Sequence, residues 1–323
     1  MRVSLIVNPM ASSVTPGVVA AIVDALGVRH TLDVENTTSR DHASAIARDA
    51  AAAGSDVVVV LAGDGTLNEA AQGLVGTRAA LAPLPGGSTN VFARAMGIEY
   101  DPLDACAQLL QSLDADTRRS VGLGVATNGN ASRHFLFHLG VGFDAAVVRE
   151  MEERHAHLKR HLAHPAFAVA TIDTWLHRYD RATRITVTAS HDGAGASDRA
   201  CGPYVVVSNC DPYTYVGRRP VTISPDASLD RALAVTTFGS LEPTLLVRAA
   251  GSGLLQARFV ATSPEIAQFA DADEVAISCD RPTPWQVDGD HLGNTTALQV
   301  RYVADAITLL VPATPRAPGR GRR

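Results

Sequence analysis

Short apolar runs alternate with alanine-rich amphipathic stretches through the first third of the chain. Strands are predicted at Val3–Val7, Asp56–Leu61 and Ala79–Leu84, and the run DVVVVL in the second is typical of a strand buried on both faces of a parallel sheet. The predicted helices cover Val18–Leu26, Asp41–Ala53, Leu67–Leu74, a stretch ending at Met96, and Pro102–Leu113. Repeated strand–loop–helix units indicate an α/β domain, which we place at residues 1–118.

The pattern changes after residue 118. Segments rich in serine, threonine, valine and glycine follow one another, separated by turn clusters, and they predict a β-rich second domain over residues 119–311. One helical stretch, from Ala145 to Tyr179, interrupts it. The last strand, Ala306–Val311, could return to the first domain. The Pro-, Gly- and Arg-rich tail at 312–323 is predicted to be disordered.

Composition excludes several classes of protein. The net charge of −5 gives no overall basic field for nucleic acid, and no apolar run is long enough to span a bilayer. The N-terminus reads as a strand and a turn, not a signal peptide, and the four cysteines form no close pairs, so we expect a cytoplasmic protein. The single lysine, Lys159, excludes a Walker A loop and a protein-kinase lysine.

Two glycine-rich loops carry the strongest chemical signal. In Val57–Leu74 a buried strand leads through Gly63 and Gly65 into a helix, an arrangement whose free amide groups suit phosphate. Asp64 lies in the same loop, and a carboxylate beside phosphates suggests Mg²⁺. The segment Leu84–Ile98 repeats this order of strand, glycine loop and helix, with the loop sequence PGGSTN. Either loop alone could also be a plain turn or a capped helix.

A third motif lies near the end of the chain. Within WQVDGDHLG, Asp288 and Asp290 flank a glycine. Their carboxylates could converge, which would raise one pKa or bind a cation. An Asp-Gly pair is also a common hairpin turn, and the motif alone leaves both interpretations open.

Taken in order, these motifs resemble the diacylglycerol kinase catalytic family, which includes bacterial lipid kinases and sphingosine and ceramide kinases. The resemblance extends over Asn8-Pro9, Thr37, AGDGTLNEAAQGL, PLPGGSTNVFARAMGI, HLGVGFDAAVV, SNCDPYTYVG and QVDGD. It implies a phosphofructokinase-like α/β domain followed by a C-terminal β-sandwich, with ATP in the cleft between them. The residues that the resemblance assigns to the nucleotide are Asn8, Pro9, Thr37, Gly63, Asp64, Gly65, Thr66, Leu67, Asn68, Glu69, Gly87, Ser88 and Asn90.

The resemblance also implies the catalytic groups. Asp64 would lie near Mg²⁺, and Asp288 and Asp290 would match the acidic pair of the family's Asp-Gly-Glu, which supplies the general base for the lipid hydroxyl. The family favours the second acid, so Asp290 is the favoured base. Asp288 stays a competitor, because the aspartate at 290 is one methylene shorter than the family's glutamate. A mild departure is Ala62, which replaces a glycine.

A larger departure concerns a second metal. Many bacterial members bind a structural Mg²⁺ through an Asp-Gly-Leu-Leu-Asp stretch. Here the matching residues are Asp230 to Ala234, so Ala234 replaces a ligand acid and Arg231 adds a positive charge. We therefore predict that this structural metal site is absent.

The sequence thus predicts a lipid kinase that uses ATP and Mg²⁺ and converts diacylglycerol to phosphatidic acid. It would be a peripheral protein on the inner face of the membrane, with a lipid as its partner, no nucleic acid, and a homodimer left open. The histidine-rich segment 149–165, including His157 and His161, could dock on that membrane, hold a metal or be a solvated helix. Alternatives are a kinase for a sphingoid base, ceramide or monoacylglycerol, an NAD kinase, or a non-catalytic regulator that binds nucleotide or lipid.

Overall fold

The structure, a computed structural model, describes residues 1–154, 170–191, 197–255 and 258–313. Most of the histidine-rich segment and most of the predicted disordered tail lie outside these ranges. The chain divides into two compact units, one formed by Met1–Val121 with the chain from Asp305 onward, and the other by Gly122–Ala304.

The first unit is built on a parallel sheet with the strand order β4–β3–β1–β2. The end of the last strand of the chain adds to it in parallel, with Thr308 opposite Ala80. The strands are β1 (Arg2–Val7), β2 (Thr31–Asn36), β3 (Val57–Ala62) and β4 (Ala80–Pro85). The helices are α1 (Pro16–Gly27), α2 (His42–Ala52), α3 (Asp64–Leu74), α4 (Val91–Ala95) and α5 (Pro102–Ala115).

Helices cover both faces of this sheet. Alternate residues of β1 and β3 pack with α1 and α5 in one apolar core, while α2 and α3 pack together against the other face. All six residues of β3 are buried, as the run DVVVVL predicts. Strand β2 was not predicted, because its residues TLDVEN are mostly exposed at the sheet edge and carry no apolar pattern.

The second unit is mainly antiparallel, with the strand order β14–β13–β10–β7–β15–β16, and β8 pairing with both β15 and β9. Leu139 in β7 and Val207 in β10 share a core with Val187 in β8 and Ile277 in β15, as in a sandwich. Its strands are β5 (Arg118–Asn128), β6 (Ala131–Phe135), β7 (His138–Gly142), β8 (Ile185–Ser190), β9 (Ser197–Gly202), β10 (Tyr204–Ser208), β11 (Thr214–Val216), β12 (Arg219–Val221), β13 (Leu233–Phe238), β14 (Ile266–Ala272), β15 (Glu274–Val287) and β16 (Asp290–Leu310).

Within the described residues, helices and a π-helical turn accompany these strands. They are α6 (Phe143–Arg154), α7 (Pro243–Gly253), α8 (Arg258–Thr262) and the turn Thr174–Arg178. The prediction of an α/β class with a β-rich second part is confirmed. Helices α7 and α8 and the separate two-stranded sheet β11–β12 were not predicted from the sequence.

Candidate active site

Four loops of the first unit leave the carboxyl ends of neighbouring parallel strands. Asn8 follows β1, Thr37 follows β2, Gly63 follows β3 and Gly86 follows β4. Backbone hydrogen bonds tie each loop to its neighbour: the N–H of Asn8 donates to Leu61 O (3.1 Å), that of Thr37 to Val7 O (2.9 Å) and that of Gly86 to Ala62 O (2.8 Å). The predicted nucleotide residues therefore gather at the sheet edge where α/β proteins bind ligands.

The two glycine loops touch through their backbones. A Cβ atom on Gly87 would lie 2.8 Å from Gly63 Cα, and one on Gly86 would lie 2.9 Å from both Ala62 N and Cα. Real Cβ atoms do not approach backbone so closely. Any side chain at Gly86 or Gly87 would therefore clash with the first loop. The absence of side chains leaves the backbone amides of both loops side by side.

We expect Gly86→Ala to destabilise the first unit by about 1–3 kcal/mol, because the added methyl would push the second loop away from Ala62. Thermal unfolding and titration with an ATP analogue would measure the loss of stability and of nucleotide affinity. Gly17→Ala in α1 is the matched control, because nothing lies within 4 Å of the added methyl. A Gly86→Ala protein that unfolds and binds nucleotide like the control would contradict the close contact.

Asp64 joins the first loop to the second. Its Oδ2 accepts the N–H of Val91 (2.8 Å) and its Oδ1 that of Phe92 (3.1 Å), so it caps α4 in place of a local residue. Burial raises the pKa of Asp64, and these two N–H groups and the charge of Arg94 oppose that rise. Each carboxylate oxygen keeps a further lone pair. Asp64 therefore fits the predicted role of a single carboxylate ligand to Mg²⁺.

Other predicted nucleotide residues shape these loops. Asn90 has a left-handed backbone (φ 50°), and its side chain closes a ring with Gly87 by accepting from its N–H (2.9 Å) and donating to its O (2.7 Å). Asn8 Nδ2 donates to Thr66 Oγ1 at 2.9 Å. Asn68 and Glu69 are buried within α3, so their side chains lie beneath the loop surface, whereas Pro9 is exposed.

Arg94 is a residue of this site that was not predicted from the sequence. Its guanidinium lies 5.4 Å from the centre of the Tyr100 ring and donates to the carbonyl of Thr89 (3.4 Å) in the second glycine loop. Tyr100 in turn donates to the carbonyl of Ser88 (3.2 Å). The spacing of Arg94 could have identified it. Arg94 follows the PGGSTN motif by four residues, and because α4 begins directly after that motif, one helical turn brings residue 94 back beside the loop.

In the second unit, Asp288 and Gly289 form the two-residue turn between β15 and β16, both with positive φ (48° and 84°). Asp288 is buried, and its carboxylate accepts three backbone N–H groups, those of Leu136 (2.6 Å), Phe137 (3.0 Å) and His138 (3.0 Å). Its own N–H donates to His138 O at 2.9 Å. Asp288 thus anchors the turn to the segment that enters β7.

Asp290 occupies a different environment two residues later. It pairs with Val287 across the hairpin, and its side chain is 25% exposed. Its Oδ2 lies 3.9 Å from the guanidinium of Arg133. The two acids therefore do not converge: Asp288 faces the protein interior and Asp290 reaches solvent.

A series of buried side-chain hydrogen bonds holds this hairpin in place. Gln286 Oε1 accepts the N–H of Gly289 (2.8 Å), and Gln286 Nε2 donates to Asp144 Oδ2 (2.6 Å). Tyr213 donates to the other oxygen of Asp144. Burial raises the pKa of Asp144, and the hydrogen bonds from Tyr213 and Gln286 oppose the rise. The motifs GFDA, QVDGD and DPYTY contain these residues, but only the fold brings them together.

Residues 2–119 match the sequence model of the family described as diacylglycerol kinase catalytic domain. This part of the chain belongs to that family. A protein of Pseudomonas aeruginosa named probable lipid kinase YegS-like is 40% identical over 124 residues, which is 38% of each chain. A diacylglycerol kinase of Bacillus subtilis is 42% identical over 69 residues, 21% of this chain and 23% of its own. The alignments thus span well under half of these relatives.

Solved structures extend the likeness in fold to the whole chain. A diacylglycerol kinase of Bacillus anthracis covers 98% of both chains with a TM-score of 0.69 at 21% identity. An NAD kinase of Archaeoglobus fulgidus, solved in complex with ATP, covers 97% of this chain and 94% of its own with a TM-score of 0.54 at 12% identity. Kinases of both kinds share an N-terminal α/β part and a β-rich C-terminal part with this chain.

The residues at the family's structural metal position do not fit a divalent cation here. The Arg231 guanidinium donates to both carboxylate oxygens of Asp271 and lies 3.9 Å from Asp226. Ala234, at the place of the family's acid, is buried in β13. The positive charge of Arg231 thus already neutralises the nearby acids, and the absence of a structural metal stays a prediction.

Among the described residues, no helix combines the length and hydrophobicity needed to cross a bilayer.

Proposed function

We propose that this protein is a lipid kinase that uses ATP and Mg²⁺ and transfers the γ-phosphoryl group to a lipid hydroxyl, with diacylglycerol as substrate and phosphatidic acid as product. One observation carries the proposal. Two glycine loops lock together at the carboxyl edge of a parallel sheet, within the residues that match the diacylglycerol kinase catalytic domain.

The first unit would bind the nucleotide. The phosphates would lie against the backbone amides of the loops at Gly63 and Gly87 and at the N-terminus of α3. Arg94, held by Tyr100 beside the second loop, would supply positive charge in a region of the chain that has no lysine. Asp64 would hold Mg²⁺, which neutralises charge on the phosphates when bound.

The second unit would supply the general base, and Asp290 is the residue we propose. An alcohol is a weak nucleophile, so its proton must leave as its oxygen attacks the γ-phosphorus and the bond to the β-phosphate oxygen breaks. Asp290 would take that proton and ADP would depart. Both oxygens of Asp288 already accept N–H groups from the chain, and this supports Asp290 over Asp288.

Two other functions remain in competition. The fold likeness to an ATP-bound NAD kinase supports NAD as an acceptor, whereas the family match of residues 2–119 supports a lipid. A regulator would bind ATP without transfer. Peripheral association with a membrane, a cytoplasmic location and a homodimer stay predictions.

Radiolabel transfer from ATP in the presence of Mg²⁺ tests all of these functions at once. The acceptors would be diacylglycerol, monoacylglycerol, sphingosine and ceramide in mixed micelles, with NAD as a soluble acceptor and Asp290→Asn as the matched variant. Label in diacylglycerol that is lost in the variant is the expected result. Label in NAD alone, or ATP binding without label in any acceptor, would overturn the proposal.

A further inference from the structure

Two stretches of the second unit contain arginines but no acid within their bounds, and acids flank them at Asp211, Asp226, Glu242 and Glu265. Residues 212–225 contain Arg218 and Arg219, residues 243–264 contain Arg248 and Arg258, and neither stretch contains an aspartate or a glutamate. The whole chain, by contrast, has a net charge of −5. This local excess of four arginines is therefore opposite in sign to the protein as a whole.

The fold brings the two stretches together. The first forms the β11–β12 hairpin and the second forms α7 and α8. Thr222, next to the hairpin, donates its N–H to the carbonyl of Gly253 at the end of α7 (3.1 Å). A Cβ atom on Gly253 would lie 2.9 Å from Thr222 O and 3.0 Å from a methyl of Val221. The hairpin thus packs directly against the last turn of α7.

This surface, which we name the arginine face, also exposes large apolar side chains. Val216 at the hairpin turn is 52% exposed, Val247 in α7 is 71% exposed and Leu255 just after α7 is 72% exposed. Arg218 and Arg219 are exposed in the same hairpin turn as Val216. Arg248 lies over the ring of Phe259, 4.1 Å from its centre, so its charge is held on an apolar support.

Apolar side chains interleaved with arginines are the pattern of a protein surface that inserts into the interface of an anionic bilayer. An acidic macromolecule would match the charge but would not need three exposed aliphatic side chains. We propose that the arginine face docks this protein on anionic lipid bilayers. This inference rests on the proposed function, because a kinase for bilayer lipids must meet its substrate at the membrane surface.

Co-sedimentation of the full chain with vesicles tests the proposal. We expect binding to phosphatidylcholine vesicles that contain phosphatidylglycerol, weaker binding to pure phosphatidylcholine, and weakening by salt. R218A/R219A should reduce affinity for the anionic vesicles by about 25-fold, since each arginine near such a surface contributes about fivefold. R78A/R199A is the matched control, because it removes the same charge from exposed positions outside the arginine face and should bind like the wild type.

A second pair of variants tests the apolar part. V247S/L255S should weaken binding to both kinds of vesicle, while thermal unfolding stays that of the wild type because both side chains are exposed. Equal loss in R218A/R219A and R78A/R199A would overturn the arginine face and indicate a general charge effect. Unchanged binding of both R218A/R219A and V247S/L255S would also overturn it.

Activity separates this proposal from the kinase proposal. R218A/R219A should lose transfer to diacylglycerol in anionic vesicles and keep transfer to a short-chain diacylglycerol dispersed as monomers. If no lipid is phosphorylated at all, the kinase proposal fails while the vesicle-binding result still decides the docking surface. Loss of transfer to the monomeric lipid would instead place these arginines in the reaction and overturn the docking role.

Discussion

Asp290→Asn should lower the rate of lipid phosphorylation by about 10²- to 10⁴-fold, the range that a positioned general base contributes. The amide keeps the size of the side chain and loses its ability to take the proton of the hydroxyl. Stability should not change, because the side chain is partly exposed and the turn is held by Asp288 and Gln286. Initial rates under saturating ATP and lipid, with thermal unfolding of the same sample, measure both quantities.

Asp290→Glu is the conservative counterpart, and it restores the acid that the family's Asp-Gly-Glu carries. We expect this variant to keep activity within about tenfold of the wild type, since a carboxylate in the correct position is the essential property. The KM for ATP should be the same in both variants, because the proposed role concerns the lipid hydroxyl. An Asp290→Asn enzyme that retains most of the wild-type rate would eliminate Asp290 as the base.

Asp288→Ala should act on stability first, lowering the free energy of unfolding by about 3 kcal/mol or more. The substitution leaves three backbone N–H groups without their acceptor, and each such buried group costs about 1–3 kcal/mol. It also places alanine at a positive φ, where aspartate is better tolerated. Denaturant unfolding of the second unit measures the loss, and activity should fall with the turn that carries Asp290.

Asp290→Asn, two residues along the same turn, is the control for this prediction. The two variants should separate cleanly, one losing stability and the other losing rate at full stability. Asp288→Asn should lie between Asp288→Ala and the wild type in stability, because its amide oxygen can still accept some of the N–H groups. A stable, inactive Asp288→Ala protein would instead point to Asp288 as the base.

The roles of the two acids could not be separated along the chain. Both flank one glycine, and alternation in a strand would have put their side chains on the same face. The positive φ at Asp288 and Gly289 makes a tight turn instead, which sends one carboxylate to the amides of residues 136–138 and the other toward solvent. Nothing local to QVDGD identifies those amides, because they lie about 150 residues earlier in the chain.

Asp64 illustrates the same limit. Its neighbours in the chain indicate a phosphate loop, and a metal explains a carboxylate there. The fold adds that this carboxylate also caps α4, with the amides of Val91 and Phe92 as its partners. A substitution at Asp64 would therefore affect both the second glycine loop and any metal, and its effect on activity could not be assigned to one of them.

The local sequence pattern determined the α/β class, the buried strands β1, β3 and β4, and the two glycine loops. These features could be predicted because apolar periodicity and glycine spacing are properties of neighbouring residues. The exposed edge strand β2 carried no such pattern. Only the tertiary structure decided the rest: the backbone contact of the glycine loops, the inward and outward acids, the chain from Tyr213 through Asp144 to Gln286, and the arginine face. Each of these depends on residues far apart in sequence, whose meeting is set by strand order and packing.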